Sequence, residues 1–345
     1  MVQFALEDRI HLEHGYCLDD NARAFLAALL SLRLNPDLEG ARYVGEAALT
    51  LVERCRREDG RFHNLMAEDG AFLDEVGSQE SLGRTIWACG IGARCAPLPD
   101  WRERASHILA GALAHLSDLT ELRPKAYAVL GLAAALRPGH ASPAAAIAPM
   151  EPNLEAPIRD ALGSLAQDLL RRYERAAEPG WEWWERTLTW GNARLPEALL
   201  RASAALENPE LLADGLRSLE FLAGVTQMND IFIPIGNDGW YERGKARAVH
   251  DQQPIEACGM VDVWIAAAKA TGQMRYATRA LEAFGWFFGQ NTERIVMVTE
   301  SGGCQDGLES ASFNANLGAE STLSYLHAHA AMALFLKAGA APARD

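Results

Sequence analysis

The sequence predicts an all-α protein, an (α/α)6 toroid in which a ring of inner helices stands inside an outer layer. Three observations predict it. Two kinds of helix alternate along the chain, one amphipathic and one apolar nearly all round. The apolar ones recur about every 60 residues, longer than the usual solenoid unit. Polar residues gather just before each of them.

The first apolar helix begins near residue 19 and runs NARAFLAALLSLRL after Asp20. An amphipathic segment follows at 38–57. The second apolar helix begins near 78, after DEVGSQESLGRTIW, and is followed by an amphipathic segment at 99–117. The third begins near 122 and contains PKAYAVLGLAAAL. The proline- and alanine-rich stretch 137–157 reads as a surface connection. In 154–176, Ile158, Ala161, Leu162, Leu165 and Leu169 share one stripe, with charged residues mostly off it. The fourth apolar helix begins near 192 and is followed by 208–226. The fifth begins near 251, contains PIEACGMVDVWIAAAKAT, and is followed by 272–289. The sixth begins near 316 and contains GAESTLSYLHAHAAMALFLKA.

A helix apolar on every side is buried on every side. Its small residues let neighbouring helices approach closely. An inner ring inside an outer ring satisfies both requirements. Six inner helices but only five clear outer ones are legible. Residues 1–14 are the candidate for the sixth; the alternatives are an incomplete ring or a chain that is one domain of a longer parent. Residues 1–345 are otherwise read as a single toroid domain.

Composition narrows the function. The chain has 345 residues, 49% of them hydrophobic, with 32 Lys and Arg against 46 Asp and Glu, a net charge of −14. A nucleic-acid binder needs a basic footprint, which is missing here, and an acidic surface disfavours anionic membranes. There is no apolar run long enough for a transmembrane helix. The opening MVQFALEDRI lacks a secretory pattern, so a cytoplasmic protein is expected. The six cysteines are scattered without C-x-x-C spacing and read as buried reduced thiols; no metal site and no cofactor is expected. Walker A, G-x-G-x-x-G and H-E-x-x-H motifs are absent.

The chemistry gathers at the inner-helix N-termini. A helix cap needs one polar residue. Most of these sites carry three or more. Arg23, Arg84, Arg194, Glu256 and Glu320 also reach one turn into apolar helices, where a charge is costly unless paired or facing a wet cavity. In a toroid these ends ring one funnel, the default site of such a fold. Trp190 precedes the fourth inner helix, and Trp240 lies in 231–249, a glycine-containing alternating segment that reads as a short β-hairpin lid. Aromatic faces suit the C–H faces of sugars, and carboxylates and amides suit hydroxyl groups.

The succession GYCLDDNARA, DEVGSQESLGRTIWA, GNARLPEALL, PIGNDGWYERG, DQQPIEA, GGCQDGL and GAESTLSYL resembles a family of bacterial α/α-toroid proteins within the six-hairpin glycosidase superfamily. The resemblance spans residues 15–330. Such domains are often fused to, or encoded beside, retaining glycosyltransferases and mannoside-processing enzymes. The resemblance implies a toroid that acts on or binds carbohydrate.

Glycoside hydrolysis by a carboxyl pair is the leading expectation, on a mannoside or glucoside oligosaccharide. The catalytic candidates are Asp20, Asp251, Glu256 and Glu320. Asp251 stands at a helix start, where the dipole favours its ionised form. Glu256 and Glu320 lie one turn inside buried helices, where desolvation raises a carboxyl pKa. Asp20 suits either role. Asn21, Arg23, Glu80, Arg84, Asn192, Arg194, Gln252 and Gln253 are expected to bind substrate, with Trp190 and Trp240 as stacking platforms. Two alternatives stand. One is a non-catalytic carbohydrate-binding or accessory domain partnering a glycosyltransferase. The other is a sugar epimerase or isomerase, which would place histidines in the funnel.

Overall fold

The computed structural model describes residues 4–6, 9–136, 149–228 and 231–339. Eleven α-helices lie among them. The inner ones are α1 (Leu18–Leu34), α3 (Gln79–Cys95), α5 (Leu122–Leu136), α7 (Arg194–Leu206), α9 (Pro254–Thr271) and α11 (Ala319–Gly339). The outer ones are α2 (Glu39–Arg54), α4 (Pro99–Ala112), α6 (Pro152–Ala176), α8 (Pro209–Thr226) and α10 (Met274–Gly285). Each inner helix packs on the next, and α11 packs back on α1, so the inner ring closes. Each outer helix covers the inner helix that precedes it.

Composition decides which layer a helix joins. In α5, twelve residues from Arg123 to Ala135 are buried, against four in the amphipathic α2. The ring is tight because glycines let backbones touch. A Cβ on Gly131 would stand 2.2 Å from the Ile86 carbonyl oxygen, and one on Gly90 would stand 2.2 Å from that of Gly131. Neither obstacle is a flexible side chain, so α3 and α5 would have to separate. Gly131→Ala is expected to lose about 1–3 kcal/mol of stability or more, read by urea unfolding.

Three inner helices begin later than the sequence predicts, two of them for local reasons. Gly191 takes a left-handed φ of 61°, turning the chain so that α7 starts at Arg194. Asp251 takes a φ of 54°, and Pro254 opens α9 with its ring-fixed φ. The last, α11, starts at Ala319. Of the segment 137–157, residues 137–148 lie outside the described residues, and 152–157 already belong to α6.

Among the described residues of 4–14 there is no sixth outer helix. Ala5–Leu6 pairs with Arg9–Ile10 as a short antiparallel ladder, and Leu12–His14 forms a 3₁₀ turn. The strands elsewhere are short and lie in the loops above the inner-helix N-termini. The segment 231–249 forms no strand ladder within itself. Its strand Tyr241–Glu242 pairs with Thr187–Leu188, which ties the loop before α9 to the loop before α7. The hairpin nearby joins Gln227–Met228 to Ile231–Phe232.

Candidate functional site

The N-terminal ends of the inner helices border an open cavity of about 280 Å³. Its lining residues are Asp19 and Arg23 from α1, Glu80 and Arg84 from α3, Trp190, Asn237 and Trp240 from loops, Gln253 and Ile255 at the start of α9, and Glu320 from α11. Arg23, Glu80, Arg84, Trp190, Trp240, Gln253 and Glu320 are thus brought together as the sequence places them. Asp19, Asn237 and Ile255 were not among the candidates.

One wall is ionic. Arg23 contacts Glu320 at 2.5 Å, Asp20 at 2.6 Å and Asp19 at 3.3 Å. Arg84 donates to Glu80 from both Nε and Nη2, and its Nε lies 3.5 Å from Asp19. The row Glu320–Arg23–Asp19–Arg84–Glu80 therefore crosses α11, α1 and α3. Burial opposes the charge on Arg23, but Asp19, Glu320 and Asp20 together hold it well above its ordinary pKa. Both arginines are occupied by carboxylates and present little free positive charge.

The opposite wall is aromatic. Arg123 on α5 donates to the Trp190 carbonyl, and its guanidinium carbon lies 5.2 Å from the Trp190 ring centre. Trp240 takes a φ of 57°, a left-handed conformation that is an outlier for a bulky side chain. Its turn is held by hydrogen bonds from Asn237 N to Asp251 O, Trp240 N to Gly236 O and Ala248 N to Trp240 O. Gly236 is required there, since a Cβ would stand 1.9 Å from the His250 carbonyl oxygen. Strain of this kind persists where the surroundings over-determine it, and such places cluster at ligand clamps.

The other candidates do not line the cavity. Asp20 accepts from the Cys17 thiol and Arg23, and burial pushes its pKa up against the pull of Arg23. Asn21 donates to the Cys17 carbonyl. Asp251 is half-buried in the loop ahead of α9, with its Oδ1 against Gly307. Gln252 bridges Val249, Thr292 and Trp286. Asn192 donates to the Thr189 carbonyl and to Glu256.

Glu256 is 5% exposed and accepts from Gly191 N as well as Asn192. Burial pushes its pKa up, against those two hydrogen bonds. A carboxyl raised on folding destabilises the fold progressively as pH rises from its unfolded value through its folded one. Glu256→Gln is expected to flatten that decline in thermal melts taken from pH 4 to 9. Glu256→Ala, which orphans two buried donors, should cost about 1–3 kcal/mol.

Below the cavity the barrel is plugged. Arg84 lies 4.2 Å over the Tyr127 ring, Tyr127 stacks on Trp87, and Arg194 lies 4.7 Å over Trp87. Arg194 donates to Glu197 at 2.6 Å and Asp262 at 2.7 Å, and Asp262 also meets His327 Nε2 at 2.8 Å. Cys258, Asp262 and His327 bring their polar atoms within 4.8 Å of one another. Arg194 reaches two of the three, lying 3.6 Å from the Cys258 sulfur, so a cation already occupies that cluster. The six cysteines are all free and buried. Among the described residues no helix is long and apolar enough to cross a membrane.

No protein-family model and no curated protein matches the chain. Solved structures do. Cellobiose 2-epimerase from Bacillus thermoamylovorans B4167 superposes with a TM-score of 0.71 at 9% identity, covering 97% of this chain and 92% of that one. A D-mannose isomerase gives 0.67 at 14% identity, with 98% and 91% covered. A GH76 α-mannanase from Bacteroides thetaiotaomicron gives 0.64 at 10% identity, with 94% and 87% covered. At these identities the likeness is one of fold. The chain shares the (α/α)6 toroid fold of these structures.

Proposed function

We propose that the protein is a carbohydrate-active enzyme and that its reaction is glycoside hydrolysis. The observation that carries this reading is the lining of the funnel: three carboxylates and two indoles, and no histidine among the described residues. His250 is exposed in the loop ahead of α9, and His327 is engaged with Asp262 below the floor. Epimerisation or isomerisation is the second reading, favoured by the toroids of that activity that share the fold.

The acid–base pair falls to Glu80 and Glu320. Asp19 and Glu320 touch the same Arg23 nitrogen, at 3.3 and 2.5 Å, and are therefore neighbours on one cation. An inverting pair stands about 6.5–9.5 Å apart to hold that water. We assign that pair to Glu80 and Glu320, which stand at the two ends of the ionic row with α1 between them. Glu80 is anchored by two Arg84 nitrogens and orients the water. Glu320, with its side chain 40% exposed and one contact to Arg23, reaches the leaving oxygen. Asp19 sets the spacing of the two arginines.

Incubation with gluco- and manno-oligosaccharides tests the reading. New reducing ends with inverted anomeric configuration, followed by NMR, support it. Interconversion of glucose- and mannose-type reducing ends without cleavage would establish the second reading instead.

A further inference from the structure

The turn that leads into α1 carries a second cluster of chemistry, apart from the residues that line the funnel. His11, Glu13 and His14 bring their ligand atoms within 4.8 Å of one another. The local backbone explains this. Leu12–His14 is a 3₁₀ turn with His11 at its N-cap, and side chains three apart eclipse in that geometry. The two imidazoles lie with ring centres 6.3 Å apart. Glu13 reaches the same side, its Oε1 standing 2.9 Å from His11 Nδ1. Backbone contacts hold the turn in place: His11 N donates to Phe4 O, and Gly15 N to Leu12 O. The Phe4 ring lies 4.7 Å from that of His14. Gly15 is required at a φ of 65°, since a Cβ there would stand 2.2 Å from the Met66 carbonyl oxygen.

We infer that His11, Glu13 and His14 form a site for a divalent ion of the zinc class. Two imidazoles and a carboxylate suit zinc, nickel(II) or copper(II), whereas calcium and magnesium take shells of oxygen. With zinc bonds of about 2.0–2.1 Å, neighbouring ligands in a tetrahedral shell stand about 3.3 Å apart. The His11–Glu13 pair is already near that spacing. Glu13 and His14 are exposed, so the His14 side chain can close on the pair by rotation and water can complete the shell. Ala5 N donates to Asn316 Oδ1 and Leu317 N to Ala5 O, which anchors the segment ahead of the turn beside the start of α11. The segment after the turn opens α1. The ion therefore fastens a strap across the place where the inner ring closes. Cysteine spacing gave no sign of a metal because this ligand set contains no cysteine. The site stands independently of the carbohydrate reading.

Calorimetry of the full chain, free of any histidine tag, with zinc chloride tests the inference. One ion per chain at micromolar affinity is expected, with calcium and magnesium silent. His14→Ala should weaken zinc binding about tenfold or more, at least what loss of a ligand's own hydrogen-bond partner costs. The same exposed turn carries both Glu13 and His14, so His14→Ala and Glu13→Gln should melt near wild type without metal. Zinc should raise the melting temperature of wild type and leave that of His14→Ala unmoved. Cobalt(II) in place of zinc reads the ligands without any substitution, and a spectrum lacking a thiolate charge-transfer band is expected. Undiminished zinc binding by the double variant His11→Ala with His14→Ala, a thiolate band in the cobalt spectrum, or no binding tighter than about 0.1 mM would each overturn the site.

Discussion

Asp262→Ala is expected to destabilise the fold by about 3–5 kcal/mol, the loss that follows when one partner of a buried ion pair is removed. Asp262 is buried in mid-α9 and accepts from Arg194 and His327. Its removal would leave the Arg194 guanidinium in the barrel with Glu197 as its remaining carboxylate. Burial opposes the charge on Asp262, but His327 and Arg194 outweigh it and hold the carboxyl well below the usual carboxylate range. A depressed pKa contributes stability above the unfolded value of about 3.9, and that stability is lost as pH falls through the folded value. The gap between wild type and Asp262→Asn should therefore be full at pH 7 and shrink below about pH 4. Urea unfolding at both pH values measures it. Replacing the pair together, Arg194→Met with Asp262→Leu, should recover part of the loss, because the buried guanidinium goes with its partner while Glu197 keeps Arg201. A single variant as stable as wild type would show that the plug is not held by this pair.

The layer of each helix was legible because burial on all sides leaves no room for a polar face. Nothing in α5 or α9 alternates, and both sit in the inner ring. The funnel was legible at the level of helix ends for a related reason. Arg23, Arg84 and Glu320 are charges that an apolar helix tolerates only beside partners or a wet cavity, and all three line the cavity.

Rotation about the helix axis was not legible. Asp19 and Asp20 are neighbours about 100° apart on α1, and only Asp19 faces the cavity, while Asp20 turns back to Cys17 and Arg23. Arg194 has the same sequence signature as Arg84, yet its partner Asp262 lies two turns into α9, where no end-of-helix pattern points. Glu256 is directed at the Gly191–Asn192 turn, where Gly191 takes a left-handed conformation that no helix pattern announces. Asn237 and Ile255 were missed because a loop and an apolar first-turn position carry no periodic signal. The sixth outer helix was sought in residues 1–14 by counting alone, and the ladder at Ala5–Ile10 shows the limit of that arithmetic.

The funnel carboxylates divide by role, and single substitutions separate those roles. Glu320→Gln and Glu80→Gln are each expected to lower kcat by about 10²–10⁴, the range for loss of a positioned general acid or base. Their melting temperatures should stay within a few degrees of wild type, since both side chains are partly exposed, at 40% and 24%. Asp19→Asn behaves differently. It leaves both acid–base groups in place but weakens the bridge between Arg23 and Arg84, so it should raise KM and lower kcat less than either glutamate variant. The two glutamates act in one step, so Glu80→Gln with Glu320→Gln should cost far less than the product of the single effects. Steady-state kinetics on the four proteins decide this. If Asp19→Asn lost as much kcat as Glu320→Gln while Glu80→Gln stayed active, Asp19 and Glu320 would be the working pair. Their shared contact with Arg23 would then point to the shorter separation of a retaining enzyme, about 5–5.5 Å, and to a covalent glycosyl intermediate that trapping and mass spectrometry would detect.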